Sequence, residues 1–161
     1  YVVPAFTGLG APWWDAEARG AIYGLTRGAG RAQLVRASLE ALAYQVYDLV
    51  EAMEEDARLS LASLNVDGGA SANGFLMQFQ ADILGRPLRR PVDAEATALG
   101  AAYLAGLASG FWPSLEAVRA LRTADERFEP AGTEPWRRAL IAGWREAVAR
   151  TRTPRAPQAL Q

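Results

Sequence analysis

The sequence predicts an α/β domain built on one sheet with helices beside it, and three observations carry that prediction. Short apolar runs of strand length are interspersed with longer stretches whose apolar residues recur every three or four positions. Residues 64–85, LNVDGGASANGFLMQFQADILG, read as strand, tight glycine turn and helix in immediate succession. The 161 residues, half of them hydrophobic and 22% charged, suffice for one domain with a sizeable core.

Taken in order, residues 1–19 are rich in Pro, Gly and Trp and read as irregular, with a short strand at 1–3. Residues 20–25 (GAIYGL) are strand-like between glycines, and 27–32 (RGAGRA) form a turn. A long helix is expected from Gln33 to about Asp56, where Val35, Leu39, Leu42, Val46, Leu49, Val50 and Met53 recur at helical spacing. Its acidic end, Glu51, Glu54, Glu55 and Asp56, reads as a solvated face. Residues 61–66 are the next strand. Helix 72–84 follows with Phe75, Leu76, Phe79 and Ile83 on one face, closed by Gly85 as C-cap and Pro87 beyond it. Residues 88–92 make a short extended piece. The expected helix 95–109 is dominated by alanine and glycine, a composition that suits close packing of backbones. A short helix at 114–121, a strand-like RFEP at 127–130 and a final amphipathic helix from Glu134 to Arg150 complete the domain. The domain is thus expected to span 1–150, with 151–161 a proline-bearing flexible tail. A start at Tyr1, in a loop-like stretch without methionine, suggests a piece of a longer protein.

Composition excludes several chemistries. The net charge of −1 gives no reason to expect a nucleic-acid surface, and no segment reaches the roughly 20 apolar residues of a membrane span. Cysteine, histidine and lysine are all absent, and the 17 basic residues are all arginine. Thiol and Schiff-base chemistry, the commonest general base and the lysine of a phosphate-binding P-loop are therefore missing from this chain.

The candidate site is the turn at Asp67-Gly68-Gly69. Adjacent glycines permit φ > 0 and remove Cβ atoms that would hold a ligand away, and a helix start presents unpaired N–H groups. The turn reads either as a seat for a nucleotide or as a tight strand-to-helix connection with no ligand. Asn73, expected in the first turn of the helix, both donates and accepts, which suits the edge of an adenine ring; the alternative is a helix-capping asparagine. Asp67 reads best as a turn aspartate bonded to its own backbone. Asp93 and Glu95 could serve acid/base or Mg²⁺ chemistry, but fit helix N-terminal charges better. Glu40 reads as a partly exposed structural glutamate. Trp13 and Trp14 either stack on a ligand or pack against neighbouring structure.

Longer motifs then narrow the reading. Gly20-Ala21-Ile22-Tyr23-Gly24-Leu25, followed by Gln33-Leu34 and Ala37-Ser38-Leu39-Glu40, resembles the C-terminal signature of the FGGY carbohydrate kinases. Val66 to Asn73 resembles the adenosine motif of the actin-like ATPase superfamily, and Thr97-Ala98-Leu99-Gly100-Ala101-Ala102 is similar to the helix that follows it in the family. Segments 3–15, 19–28, 75–85 and 98–112 resemble the members that phosphorylate glycerol.

The resemblance implies an actin-like (ribonuclease H-like) α/β domain with a mixed sheet flanked by helices. It implies a cytoplasmic kinase, homo-oligomeric at full length, that transfers the γ-phosphoryl group of Mg²⁺-bound ATP to glycerol. The Gly68-Gly69 turn, Ala70 through its backbone and Asn73 would hold the adenosine. The phosphate hairpin, the catalytic aspartate, the glycerol contacts and most Mg²⁺ ligands would lie in an N-terminal domain, and no D-x-G-[ST] occurs here. This chain would hold no catalytic residue, and residues 1–161 alone are expected to be inactive. In some bacterial members the start of the last helix binds a phosphotransferase-system protein; here Pro135 and Trp136 replace the polar residues expected there. The alternatives are another sugar kinase of the family, of xylulose or gluconate type, and a non-catalytic actin-like assembly module.

Overall fold

Five helices and five short strands form the domain in a computed structural model that describes residues 1–92, 96–121 and 125–154. Strand β1 (Val2–Val3) pairs antiparallel with β2 (Ala21–Ile22). Helix α1 (Arg31–Ala57) leads to β3 (Leu64–Asn65), a 3-10 turn (Gly69–Ala72) and α2 (Gly74–Leu84). Then come β4 (Leu88–Pro91), α3 (Ala96–Ala108), α4 (Leu115–Ala120), β5 (Asp125–Phe128) and α5 (Glu134–Thr151). The principal sheet is mixed, in the order β3-β4-β5, with β3 and β4 parallel and β5 antiparallel to β4.

Two strand pairings differ from the single sheet read in the sequence. The β1–β2 pair is a separate two-stranded ribbon. It stops after two residues because Gly24 turns the chain at φ 81°. The expected strand 61–66 shrinks to Leu64–Asn65. Its preceding residues are held by side chains instead: Glu54 accepts from the Leu61 N–H at 2.5 Å, and Arg86 donates to the Leu61 carbonyl.

Helix boundaries follow local chemistry. The Gln33 side chain accepts from the Gly30 N–H at 3.1 Å and closes the start of α1. Arg58, in the left-handed region at φ 53°, ends it. Gly85 caps α2 at φ 65°, as the sequence indicates, with its N–H on the Ala81 carbonyl at 2.8 Å. Pro135 sits in the first turn of α5, where a missing N–H costs nothing. Trp136 beside it lays its ring edge on Phe79, 6.1 Å between centroids.

The core lies between α1, α2, α5 and the two sheets. Its centre is Tyr44, stacked on Trp144 at 5.2 Å and meeting Phe79 edge-on at 5.6 Å. Asp48 is buried beside it and accepts from two indoles, Trp144 at 2.8 Å and Trp13 at 3.1 Å. One carboxylate therefore joins α1, α5 and the loop after β1. Of the two loop tryptophans, Trp13 is a structural strut, whereas Trp14 is 79% exposed.

Burial pushes the Asp48 carboxyl up, against the opposing effect of the two indole N–H groups and of Arg145. A raised folded-state value means that the folded protein binds this proton more tightly than the unfolded chain does. The contribution is fully present below the ordinary aspartate value of about 3.9 and is lost as pH rises through the raised value. Unfolding free energy measured against pH is expected to show this decline, and Asp48→Asn, which keeps an acceptor for the indoles, is expected to remove it. An unchanged pH profile in the variant would refute the assignment.

The alanine-rich α3 departs from the close packing its composition suggested. Leu104 is 69% exposed, and close approach occurs at one point, where the Trp112 ring lies against Gly106. A Cβ at Gly106 would stand 2.1 Å from that ring. Small residues permit close contact only where a partner exists, and among the described residues that partner is the segment following the helix. The acidic pair Asp93 and Glu95 lies outside the described residues, as does 155–161 of the tail.

Candidate functional site

The turn after β3 is built by a glycine, a serine and an arginine. The Val66 N–H still bonds to the Arg89 carbonyl at 2.9 Å, and the chain then leaves the sheet. Gly68 adopts φ 84° and ψ 173°, a conformation open essentially to glycine alone. The buried Ser71 returns its hydroxyl to the Gly68 carbonyl at 2.7 Å and its N–H to the same oxygen at 3.0 Å. From β4, Arg90 reaches over to donate to the Ser71 carbonyl. Arg90 is itself held by Glu126 and by the Phe128 ring, 5.1 Å below its guanidinium.

The helix does not follow the strand at once. The 3-10 turn at Gly69–Ala72 intervenes, and α2 begins only at Gly74. Asn73 is therefore the N-cap of α2 rather than a residue of its first turn. Its Oδ1 accepts from the Leu76 N–H at 3.1 Å. The capping role is real, and it uses the oxygen only. Asn73 is exposed, and its Nδ2 donates to no described residue.

The two glycines divide the work. Gly68 is required by its backbone angles. Gly69 has no positive φ, and a Cβ there would meet nothing within 4 Å. Nothing in the described residues accounts for the missing side chain at 69. Gly68, Gly69, Ala70 and Asn73 lie together on one exposed rim at the open end of the β3–α2 connection.

Asp67 differs from the backbone-bonded turn aspartate expected: it is exposed, and among the described residues its carboxylate accepts no hydrogen bond, the turn being closed by Ser71 instead. Glu40 pairs with Arg36 at 2.7 Å on the same helix. Sequence reasoning missed Ser71 and Arg90. A serine three residues after the glycine was visible as a turn-closing hydroxyl, but the approach of Arg90 depends on the β3–β4 register, Leu64 beside Leu88 and Asn65 beside Arg89. Among the described residues no group of three acidic side chains could hold a metal ion. No helix among them is long and apolar enough to cross a membrane.

The mixed sheet feeds a glycine turn into a capped helix, an α/β arrangement. Residues 1–109 match the FGGY family of carbohydrate kinases, C-terminal domain, and the chain belongs to that family. Its relatives include the glycerol kinase of Caldanaerobacter subterraneus subsp. tengcongensis, 62% identical over 150 residues, and glycerol kinase 2 of Pseudomonas aeruginosa, 60% identical over 152. These alignments cover 93% and 94% of this chain and 30% of each relative. Among solved structures, Plasmodium falciparum glycerol kinase with ADP superposes with a TM-score of 0.83 at 39% identity, over 93% of this chain and 30% of that one. A ligand-bound xylulose kinase from Lactobacillus acidophilus gives 0.70 at 27% identity, over 92% and 31%. The chain thus spans about 30% of the length of the relatives it matches, and its fold is that of the actin-like kinases.

Proposed function

We propose that this chain is the nucleotide-holding C-terminal part of an ATP-dependent glycerol kinase that makes sn-glycerol 3-phosphate. The carrying observation is Gly69, whose missing side chain leaves open space that neither the backbone nor the packing of this chain requires. A nucleotide lying against bare backbone explains it. Identity to glycerol kinases at 60–62%, against 27% to a xylulose kinase structure, favours glycerol over a sugar as the phosphoryl acceptor.

In this reading Gly68 sets the turn, Gly69 and Ala70 give backbone surface to the adenosine, and Asn73 offers Nδ2 to the base while its Oδ1 stays on Leu76. Ser71 and Arg90 keep the rim from moving. ATP supplies the phosphoryl group. In this reading metal ligation and proton abstraction from glycerol fall to the part of the enzyme outside this chain.

The test is Asn73→Ala in the full-length enzyme. Loss of one polar contact, about 1–2 kcal/mol, is expected to raise KM for ATP roughly 5- to 30-fold with KM for glycerol nearly unchanged. Asn73→Ser, which keeps a cap, separates the two roles: it is expected to restore stability but not nucleotide affinity. An unaltered KM for ATP in both variants would overturn the reading.

A further inference from the structure

Arg90 divides its two terminal nitrogens between two elements. Nη1 donates to the Ser71 carbonyl of the glycine turn, and Nη2 donates to the Glu126 carboxylate on β5. The Phe128 ring lies under the guanidinium, its centroid 5.1 Å from the central carbon. The pleat explains why these groups meet. In the antiparallel β4–β5 pair Leu88 stands opposite Phe128 and Arg90 opposite Glu126, so the four side chains share one face. Leu88 is fully buried, and Arg90 keeps only 19% of its side chain exposed.

A guanidinium is planar, and its donors form a rigid fork. With one nitrogen held by Glu126 and the plane laid on Phe128, the direction of the other nitrogen is fixed. It points at a carbonyl that governs the turn. Ser71 sends its hydroxyl and its N–H to the Gly68 carbonyl, and the Asn73 N–H donates to the Ala70 carbonyl at 3.2 Å. The chain from Gly68 to Asn73 therefore moves with Ser71. Folding stability does not account for Glu126. Its side chain is 54% exposed, and an ion pair with one partner in water contributes little.

We propose that Glu126 is a positioning residue for the nucleotide: through Arg90 it holds the Gly69–Asn73 rim in the shape that adenosine requires. It acts through Arg90 and not by contact with the ligand. The inference rests on the reading of that rim as the adenosine wall, and adds that a strand on the far side of β4 sets the wall's shape. Strand β5 lies beyond residues 1–109, the segment that matches the family's C-terminal domain. Two effects of the carboxylate differ in sign. As a charge, Glu126 repels an anionic nucleotide, so neutralising it would by itself lower KM for ATP. As a strut it favours the nucleotide, so neutralising it raises KM.

In the full-length protein Glu126→Gln is expected to raise KM for ATP about 3-fold, with kcat, KM for glycerol and the urea midpoint nearly unchanged. Arg90→Lys, which keeps the charge but not the fork, is expected to raise it about 10-fold. The double variant is expected to match Arg90→Lys alone, because Glu126 acts only through Arg90. Amide exchange at the Ser71 and Asn73 N–H groups, measured without nucleotide, reads the rim directly and is expected to quicken in Glu126→Gln. Glu126→Gln decides the matter even if Arg90→Lys does not fold. A KM for ATP that stays level or falls in Glu126→Gln would overturn the proposal, as would unchanged exchange or additive effects in the double variant. Asn73→Ala is the reference. If it raises KM for ATP and Glu126→Gln does not, the positioning role fails and the adenosine wall stands. If Asn73→Ala, Gly69→Ala and Glu126→Gln all leave that KM unchanged, both fall together.

Discussion

Gly69→Ala in the full-length protein is expected to raise KM for ATP by about tenfold or more, equivalent to about 1.4 kcal/mol, while leaving unfolding free energy almost unchanged. Gly68→Ala is expected to do the opposite first: it strains the turn by about 1–3 kcal/mol and lowers stability. The contrast follows from the geometry. At Gly69 a methyl group meets no protein atom within 4 Å, so the fold has no objection to it. It would, however, stand in the space assigned to adenosine. At Gly68 the space is equally open, but φ 84° with ψ 173° is closed to alanine. Steady-state kinetics and urea unfolding on both variants check the pair. A Gly69→Ala enzyme with normal KM for ATP would show that no nucleotide lies against that residue.

Trp144→Ala is expected to cost about 3–5 kcal/mol, which approaches the whole stability of many domains. The indole is 1% exposed, stacks on Tyr44 with only 13° between the ring planes, and donates to Asp48. Its removal leaves a large void and deprives a buried carboxylate of one of its two donors. Trp144→Phe isolates the second effect, with an expected loss of about 1–3 kcal/mol. Trp14→Ala, at a residue 79% exposed, is the control and is expected to stay within about 0.5 kcal/mol. Denaturant titration of the three variants orders them; a Trp144→Ala protein as stable as the control would contradict the core described here.

The sequence was most legible where the chemistry is local. Gly85 and Pro87 mark the end of α2, the three-and-four spacing marks α1 and α5, and the double glycine marks the turn. It was least legible where the partner is remote. Nothing near Asp48 announces that its donors stand 35 and 96 residues away. A lone aspartate in an apolar helical pattern looks like a solvated interruption. The strands at Val2–Val3, Ala21–Ile22 and Leu64–Asn65 are too short for alternation to define them, and only their pairing does so. For Asn73 the two readings were not exclusive, since the oxygen caps the helix and leaves the amide nitrogen free. On α1 the periodic stripe was read correctly as apolar, but periodicity cannot say whether a stripe is already covered.

The carboxylate of Asp48 also fixes when this domain can finish folding. Its donor on α5 is the last of the core aromatics to be synthesised, 96 residues after it. The Tyr1 hydroxyl waits likewise for the Leu140 carbonyl at 3.0 Å, and Asp15 for the Thr153 backbone at 2.7 Å. Closing such long loops is slow, because their entropy is lost before the contacts that reward it are made. A chain whose α5 has not yet emerged can pack α1 on α2, with Tyr44 against Phe79, but leaves Asp48 without its Trp144 donor.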